Sequence, residues 1–299
     1  MIRKLMLMLC ALAMTTACAA ADTITDMHGR EITLDAPATR IVALTAADCE
    51  ILCALGAQDT LVGRGEYCNY PADILDRPVV QSGANTNIEE ILALQPQVVL
   101  MNDMAQSTEQ IEQLERSGVH VVVSDATDIK GVYTAIRMIG ALLGRDAQAE
   151  TLVADMQAAF ADIAARCGQT GRTVYFEVSP LQYGLWTAGS GTFMEELAGI
   201  CGLTNAFADV QGWAQISEEQ VLARDPDIIV TNAMAWGDGP TPVEEIMSRE
   251  GWESLKAVQS GCVFSVDPDS ISRPGPRLVD AAWELYRLIT GEAEEAPAA

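Results

Sequence analysis

Side chains able to do covalent or metal chemistry are thinly supplied in this chain. Only two histidines occur, His28 and His120, too few for a multi-histidine zinc or manganese centre. His28 lies close to the N-terminal stretch and makes a poor general base. The 42 Asp and Glu residues offer many carboxylate pairs, but no pair stands out by spacing as an acid–base couple. No Gly-x-Ser-x-Gly elbow, Gly-x-x-x-x-Gly-Lys-Ser/Thr loop or His-Glu-x-x-His pair is present. Gly189-Ser190-Gly191-Thr192 precedes a helical pattern whose first amides could hold an anion, although a tight turn is the simpler role. The residue types therefore point away from an enzyme and toward binding.

Cysteine is the remaining reactive type. Setting aside Cys10 and Cys18 leaves Cys49, Cys53, Cys68, Cys167, Cys201 and Cys262. An even set permits disulfides in an exported chain, and their pairing is not legible from spacing. Cys49 and Cys53 stand four apart on a helical pattern, conceivable for zinc. No second pair with ligand spacing follows, so small buried side chains are the simpler reading.

Composition narrows the partners. Lys and Arg number 18 against those 42 acids, a formal charge of −24 over 299 residues. Nucleic acid needs a surplus of cations to neutralise phosphates, and anionic lipid headgroups need the same. Both are disfavoured. A hydrophobic fraction of 49% with 20% charged residues describes an ordinary globular chain, long enough for two lobes.

The first residues form an address. Arg3 and Lys4 precede the apolar run Leu5–Met14, and small residues follow up to Cys18. The run is too short to span a bilayer, so residues 1–17 read as a secretory signal. Thr15-Thr16-Ala17-Cys18 resembles a bacterial lipobox, with Thr15 where Leu is usual. That resemblance implies a lipidated Cys18, with residues 18–37 as a leash tethering the domain to a membrane face.

Beyond the leash, short β-branched runs alternate with helical patterns. Runs at Ile41–Leu44, Val98–Met101, His120–Val123, Thr173–Val178, Ile228–Thr231 and Val263–Val266 read as strands. Helical patterns intervene at Asp48–Leu55, Glu89–Leu94, Ile129–Leu143, Phe193–Cys201 and Gly275–Ile289. This order predicts an α/β fold with mostly parallel sheets. Residues 146–167 carry no interior Gly or Pro and predict one helix roughly 33 Å long. It falls between two halves that repeat one another. Residues 87–99 match residues 217–229 at a constant offset of 130, sharing Glu, Leu, Ala and Pro positions. Each copy begins with Asn or Ser and has Glu or Gln three residues later, a capping-box pattern. The expected organisation is a lobe at 38–145, a connecting helix at 146–167, a second lobe at 168–291 and a disordered tail at 292–299. A ligand cleft lies between two such lobes.

Several segments carry a more specific likeness. They include Arg40–Thr45 with Glu50–Gly56, Val62–Pro71, the two repeat copies, Gly191–Leu197 and Ser272–Leu278. In order and spacing they resemble the iron-chelate and cobalamin class of ABC-transporter substrate-binding proteins, over residues 38–291. The resemblance implies two α/β lobes joined by a long helix, holding a corrinoid or ferric chelate for a membrane permease and its ATPase. It implies an extracytoplasmic protein, expected to be a monomer, that needs no cofactor of its own. A tethered ligand sensor on the same scaffold is the other non-enzymatic reading.

By position, the resemblance assigns permease docking to Glu89 and Glu219, one on each lobe. Both also sit in the first turn of a helix, where the dipole favours a carboxylate. It assigns Tyr67 and Trp213 to opposite walls of the cleft, an aromatic from each lobe sandwiching a flat macrocycle. Cobalamin binders often show another Trp where this chain has Gln81-Ser82-Gly83-Ala84, and Trp236 after a strand end could replace it. Trp186 and Met234 are weaker candidates. Arg273 is nominated to hold an anionic chelate, with Arg64 as a second cation and Arg277 paired to an acid of its own lobe. This shortage of cations favours a corrinoid or ferric hydroxamate over a triply charged catecholate. Haem is a further alternative, with Tyr67 as iron ligand beside Cys68.

Overall fold

A computed structural model describes residues 22–102, 107–234 and 239–292. Cys18, Trp236 and the tail from 293 lie outside the described residues.

The leash expected at 18–37 is not a leash from residue 22 onward. β1 (Asp22–Thr25) and β2 (Glu31–Leu34) form an antiparallel hairpin that buries Ile24 and Ile32. Asp26 fixes it to the first lobe. Its buried carboxylate takes Arg30 and the Val123 amide, while Met27 N donates to Val123 O at 3.1 Å. The alternation Ile24/Ile32 against polar neighbours is a half-buried strand pattern, here too short to stand out.

The first lobe holds a five-stranded parallel sheet. Its strands are β3 (Ile41–Ala43), β4 (Leu61–Gly65), β5 (Val79–Val80), β6 (Val98–Met101) and β7 (His120–Val123), in spatial order 5-4-3-6-7. Helices α1 (Ala46–Ala54), α2 (Ile88–Ala93), α3 (Thr108–Arg116) and α4 (Ile129–Leu142) connect and flank it. α5 (Asp146–Cys167) follows, with the bounds expected from sequence. The second lobe has a four-stranded parallel sheet, in which β10 (Thr204–Asn205) pairs with β8 (Thr173–Glu177). β12 (Ile228–Thr231) lies between β8 and β13 (Val263–Ser265). β9 (Trp186–Ala188) and β11 (Trp213–Gln215) form a separate antiparallel ribbon. The helices here are α6 (Phe193–Ile200), α7 (Glu218–Arg224), α8 (Pro242–Met247), α9 (Lys256–Ser260), α10 (Pro268–Ser272) and α11 (Leu278–Thr290).

Both sheets are covered on both faces, which is why their strands read as continuous apolar runs. In β6, Val98 and Leu100 face one core while Val99 and Met101 face another. In β12, Ile228 and Val230 share that first core, while Ile229 turns to a third. The shared core runs through both lobes. α5 completes it with Ala149, Val153, Met156, Phe160 and Ile163, a stripe at alternating spacings of four and three. The connector is thus packed into both lobes along its length, against α4 on one side and α6 and α11 on the other.

The internal repeat extends to the backbone. Gln95 (φ 50°) and Asp225 (φ 45°) are the two non-glycine residues with positive φ among the described residues, and they are 130 positions apart. Each ends its helix in the left-handed region just before a proline that cannot continue it. The caps differ. Ser217 and Gln220 form a reciprocal capping box, whereas Glu90 accepts from Gln81 N and leaves Asn87 capping alone.

Candidate functional site

The carboxyl ends of both parallel sheets point at one cleft of about 870 Å³. Thr45 follows β3, Asn102 follows β6, and Ser124 and Asp125 follow β7. From the other lobe, Ser179 follows β8 and Asn232 follows β12. Strand ends are where such sheets bind ligands, because the chain must turn there and backbone and short polar side chains are left facing outward.

The cleft's apolar wall comes from one lobe. Trp186 and Trp213 lie on the β9–β11 ribbon, where Trp186 is opposite Gln215 and Trp213 opposite Ala188. That register makes the two tryptophans diagonal neighbours on one face, about 7–8 Å apart at the backbone. They are 38% and 40% exposed, and both line the cleft. Phe193, at the start of α6, backs Trp213 with ring centroids 5.4 Å apart. Phe193 N also donates to Thr127 O across the lobes. The structure does not bring Tyr67 together with Trp213 at this cleft: Tyr67 is 72% exposed and is not among the lining residues. Its turn does reach the site through the backbone, since Arg273 Nη2 donates to Tyr67 O at 3.3 Å.

Arg273 lines the cleft but is already paired. Nη1 donates to Glu50 at 2.9 Å and to Asn69 Oδ1 at 2.7 Å, and Nη2 lies 2.6 Å from Asp269. Arg277 pairs with Asp267 of its own lobe, as expected. It also reaches Glu50 at 3.4 Å and lies over the Tyr70 ring. Glu50 belongs to α1, so this cluster ties the lobes together at the end of the cleft. Burial pushes the Glu50 carboxyl above its usual value against the pull of Arg273 and Arg277. Arg64 is not a ligand-facing cation. It is buried, with its guanidinium donating to Cys68 O and Leu75 O inside the first lobe.

Beneath the cleft floor lies Asp48, fully buried in the first turn of α1. Its Oδ2 accepts from Thr45 Oγ1 at 2.6 Å, while Oδ1 has no partner. Burial pushes the carboxyl up to about 7, with the Thr45 hydroxyl and the nearby Ser124 side chain pulling the other way. Asp48, Glu50, Phe193 and Asp125 were not singled out as site residues from sequence. The usable signal was their place directly after strand ends, or one turn into the helix that follows.

Outside the cleft, Glu89 and Glu219 are exposed at the second position of α2 and α7. The Ser217 side chain and the residue's own amide hold the Glu219 carboxyl below its usual value. The Gly189–Thr192 segment is a tight turn. Gly191 N donates to Glu195, Glu195 N donates to Thr192, and a Cβ on Gly189 would meet Val210 O at 2.0 Å. Cys68 is buried and its thiol donates to Ala43 O, so it faces the core rather than a ligand. Among the described residues no cluster of His, Cys, Asp and Glu is arranged to hold a metal ion.

The profile of a family described as periplasmic binding protein matches residues 41–270. An uncharacterised ABC-transporter substrate-binding lipoprotein of Bacillus subtilis is 34% identical, over 89% of this chain and 85% of that one. A cobalamin-binding protein of Halobacterium salinarum is 30% identical over 88% and 73%. A crystal structure of a possible iron-binding solute-binding protein from Staphylococcus epidermidis superposes with a TM-score of 0.72. It is 28% identical and covers 85% of this chain and 99% of that one.

Proposed function

The chain belongs to the periplasmic binding protein family, and we propose that its cleft captures a corrinoid for delivery to a permease. Its role as the substrate-binding component of an ABC importer follows from its relatives. The choice of ligand rests on the cleft's chemistry. Two tryptophans backed by a phenylalanine offer a flat apolar face with little rotamer entropy to lose. Among the described lining residues, Arg273 is the cation and is already bound to two carboxylates. A highly anionic chelate would have to be desolvated against that neutralised group, whereas a corrinoid or a ferric hydroxamate would not. The ferric hydroxamate is the second reading, favoured by the same neutral electrostatics. The extracytoplasmic chain acts by binding, without catalysis of its own, as a monomer anchored through Cys18. Glu89 and Glu219 dock on the permease, where exposed acids set encounter rate and orientation.

Isothermal titration with cyanocobalamin, a ferric hydroxamate and haemin tests this. The expected result is sub-micromolar cobalamin binding, weakened roughly tenfold by Trp213→Ala, about 1–2 kcal/mol of lost stacking and burial. Binding of the hydroxamate alone shifts the ligand to the second reading. If Trp213→Ala leaves the affinity unchanged, the tryptophan wall is not the binding surface.

A further inference from the structure

The six cysteines of the described residues are free thiols in the structure, yet four of them meet in pairs. Cys49 of α1 and Cys68, in the turn after β4, are buried, and each donates to the same carbonyl oxygen, Ala43 O, at 3.8 Å. The Cys68 thiol is the neighbour that does most to raise the Cys49 thiol above its usual value. Cys167, the last residue of the connecting helix α5, and Cys201, which caps the end of α6, are a second pair of neighbours, each acting on the other's thiol. The backbone braces this pair. Thr170 N donates to Gly202 O at 3.0 Å, and a Cβ placed on Gly202 would lie 3.5 Å from the Cβ of Cys167. The other two have different surroundings. Cys262 accepts from Arg172 at 3.3 Å, and Cys53 is half-buried one turn along α1 from Cys49.

We infer two disulfides, Cys49–Cys68 within the first lobe and Cys167–Cys201 between the end of α5 and the second lobe, while Cys53 and Cys262 remain thiols. The inference rests on the extracytoplasmic location, where disulfides form and persist. For each bond two thiols lose two protons and two electrons. The acceptor is the disulfide of an exported thiol oxidoreductase, which leaves as a dithiol after exchange through a mixed disulfide. The neighbouring Cys68 thiol and then burial raise the Cys49 thiol, and burial raises that of Cys201, well above the usual value. Thiolate is then scarce in the folded chain, and the bonds form before the cores close. Cys49–Cys68 has a consequence for the cleft. It ties α1, which carries Glu50, to the turn whose Tyr67 carbonyl and Asn69 side chain hold Arg273.

The test is peptide mapping of the full chain exported by a host signal peptide into an oxidising compartment, so that the chain's own leader plays no part. Free thiols are alkylated before digestion. Trypsin cuts after Arg64 and after Arg172, which separates the members of each pair. The expected result is two cross-linked peptide pairs that vanish on reduction, with Cys53 and Cys262 alkylated. Cys53→Ser should keep the Cys68 cross-link and Cys49→Ser should lose it. Alkylation of all six thiols without reduction overturns the inference, as does a Cys68 cross-link that follows Cys53.

Discussion

Replacing Asp48 by asparagine should remove a pH dependence that is built into the cleft floor. The carboxyl is fully buried, with one oxygen held by Thr45 and the other unpartnered. Burial raises it from 3.8 to about 7. A raised acid binds its proton more tightly in the folded state than in the unfolded one. Its stabilising contribution is therefore complete below about pH 4 and is lost as pH rises through the interval up to about 7. About three pH units correspond to roughly 4 kcal/mol, and nearly all of that loss is complete by about pH 8. Asparagine keeps the shape of the neutral acid and does not titrate. If its amide finds no acceptor where Oδ1 now lies, the variant gives back about 1–3 kcal/mol. The expected outcome at about pH 8 is a net gain of about 1–3 kcal/mol, shrinking toward zero or reversing at about pH 4. Urea unfolding of both proteins across that range, at fixed ionic strength, measures it from the midpoints at unchanged slope. General repulsion among the 42 acids affects both proteins alike and cancels in the comparison. Parallel stability curves for the two proteins would falsify the assignment of a buried, titrating Asp48.

Glu177→Ala should destabilise the second lobe by about 3–5 kcal/mol, because it strands the buried Arg249 that Glu177 holds through two hydrogen bonds of 2.9 and 3.0 Å. A loss below about 1 kcal/mol in chemical denaturation would mean that Glu245 alone satisfies the guanidinium. Glu89→Ala combined with Glu219→Ala should abolish uptake in cells and leave ligand affinity intact, since both side chains are exposed and away from the cleft; an equal fall in affinity refutes the docking role. Small-angle scattering should record only modest compaction on ligand binding. The shared core through α5 and the Glu50–Arg273 contacts hold the lobes at two places, and a wide closure would show that neither restrains them.

Much of the architecture was legible because it is enforced locally. Strands buried on both faces must be apolar at every position, so β6 and β12 announced themselves as parallel-sheet strands. α5 was legible to its terminal residues, since nothing inside it breaks a helix and Gly168 ends it at positive φ. The repeat extended even to the left-handed residues before Pro96 and Pro226, an arrangement set by the chemistry of a single turn. The hairpin at 22–34 was missed because four-residue strands carry too little period to register. The site was less legible, for a different reason. Whether a charged or aromatic side chain is available to a ligand depends on what reaches it from elsewhere. Arg273 is neutralised by Glu50, 223 residues away in sequence, and Arg64 is drawn inward by two backbone carbonyls. Trp186 and Trp213 become one wall only because β9 and β11 pair in a register that no local pattern specifies. The sequence by itself determined two α/β halves, their connector and the class of protein they make. Only the tertiary structure decided which cations are neutralised and which aromatics face the cleft, because both depend on contacts between segments that meet only when the lobes are folded.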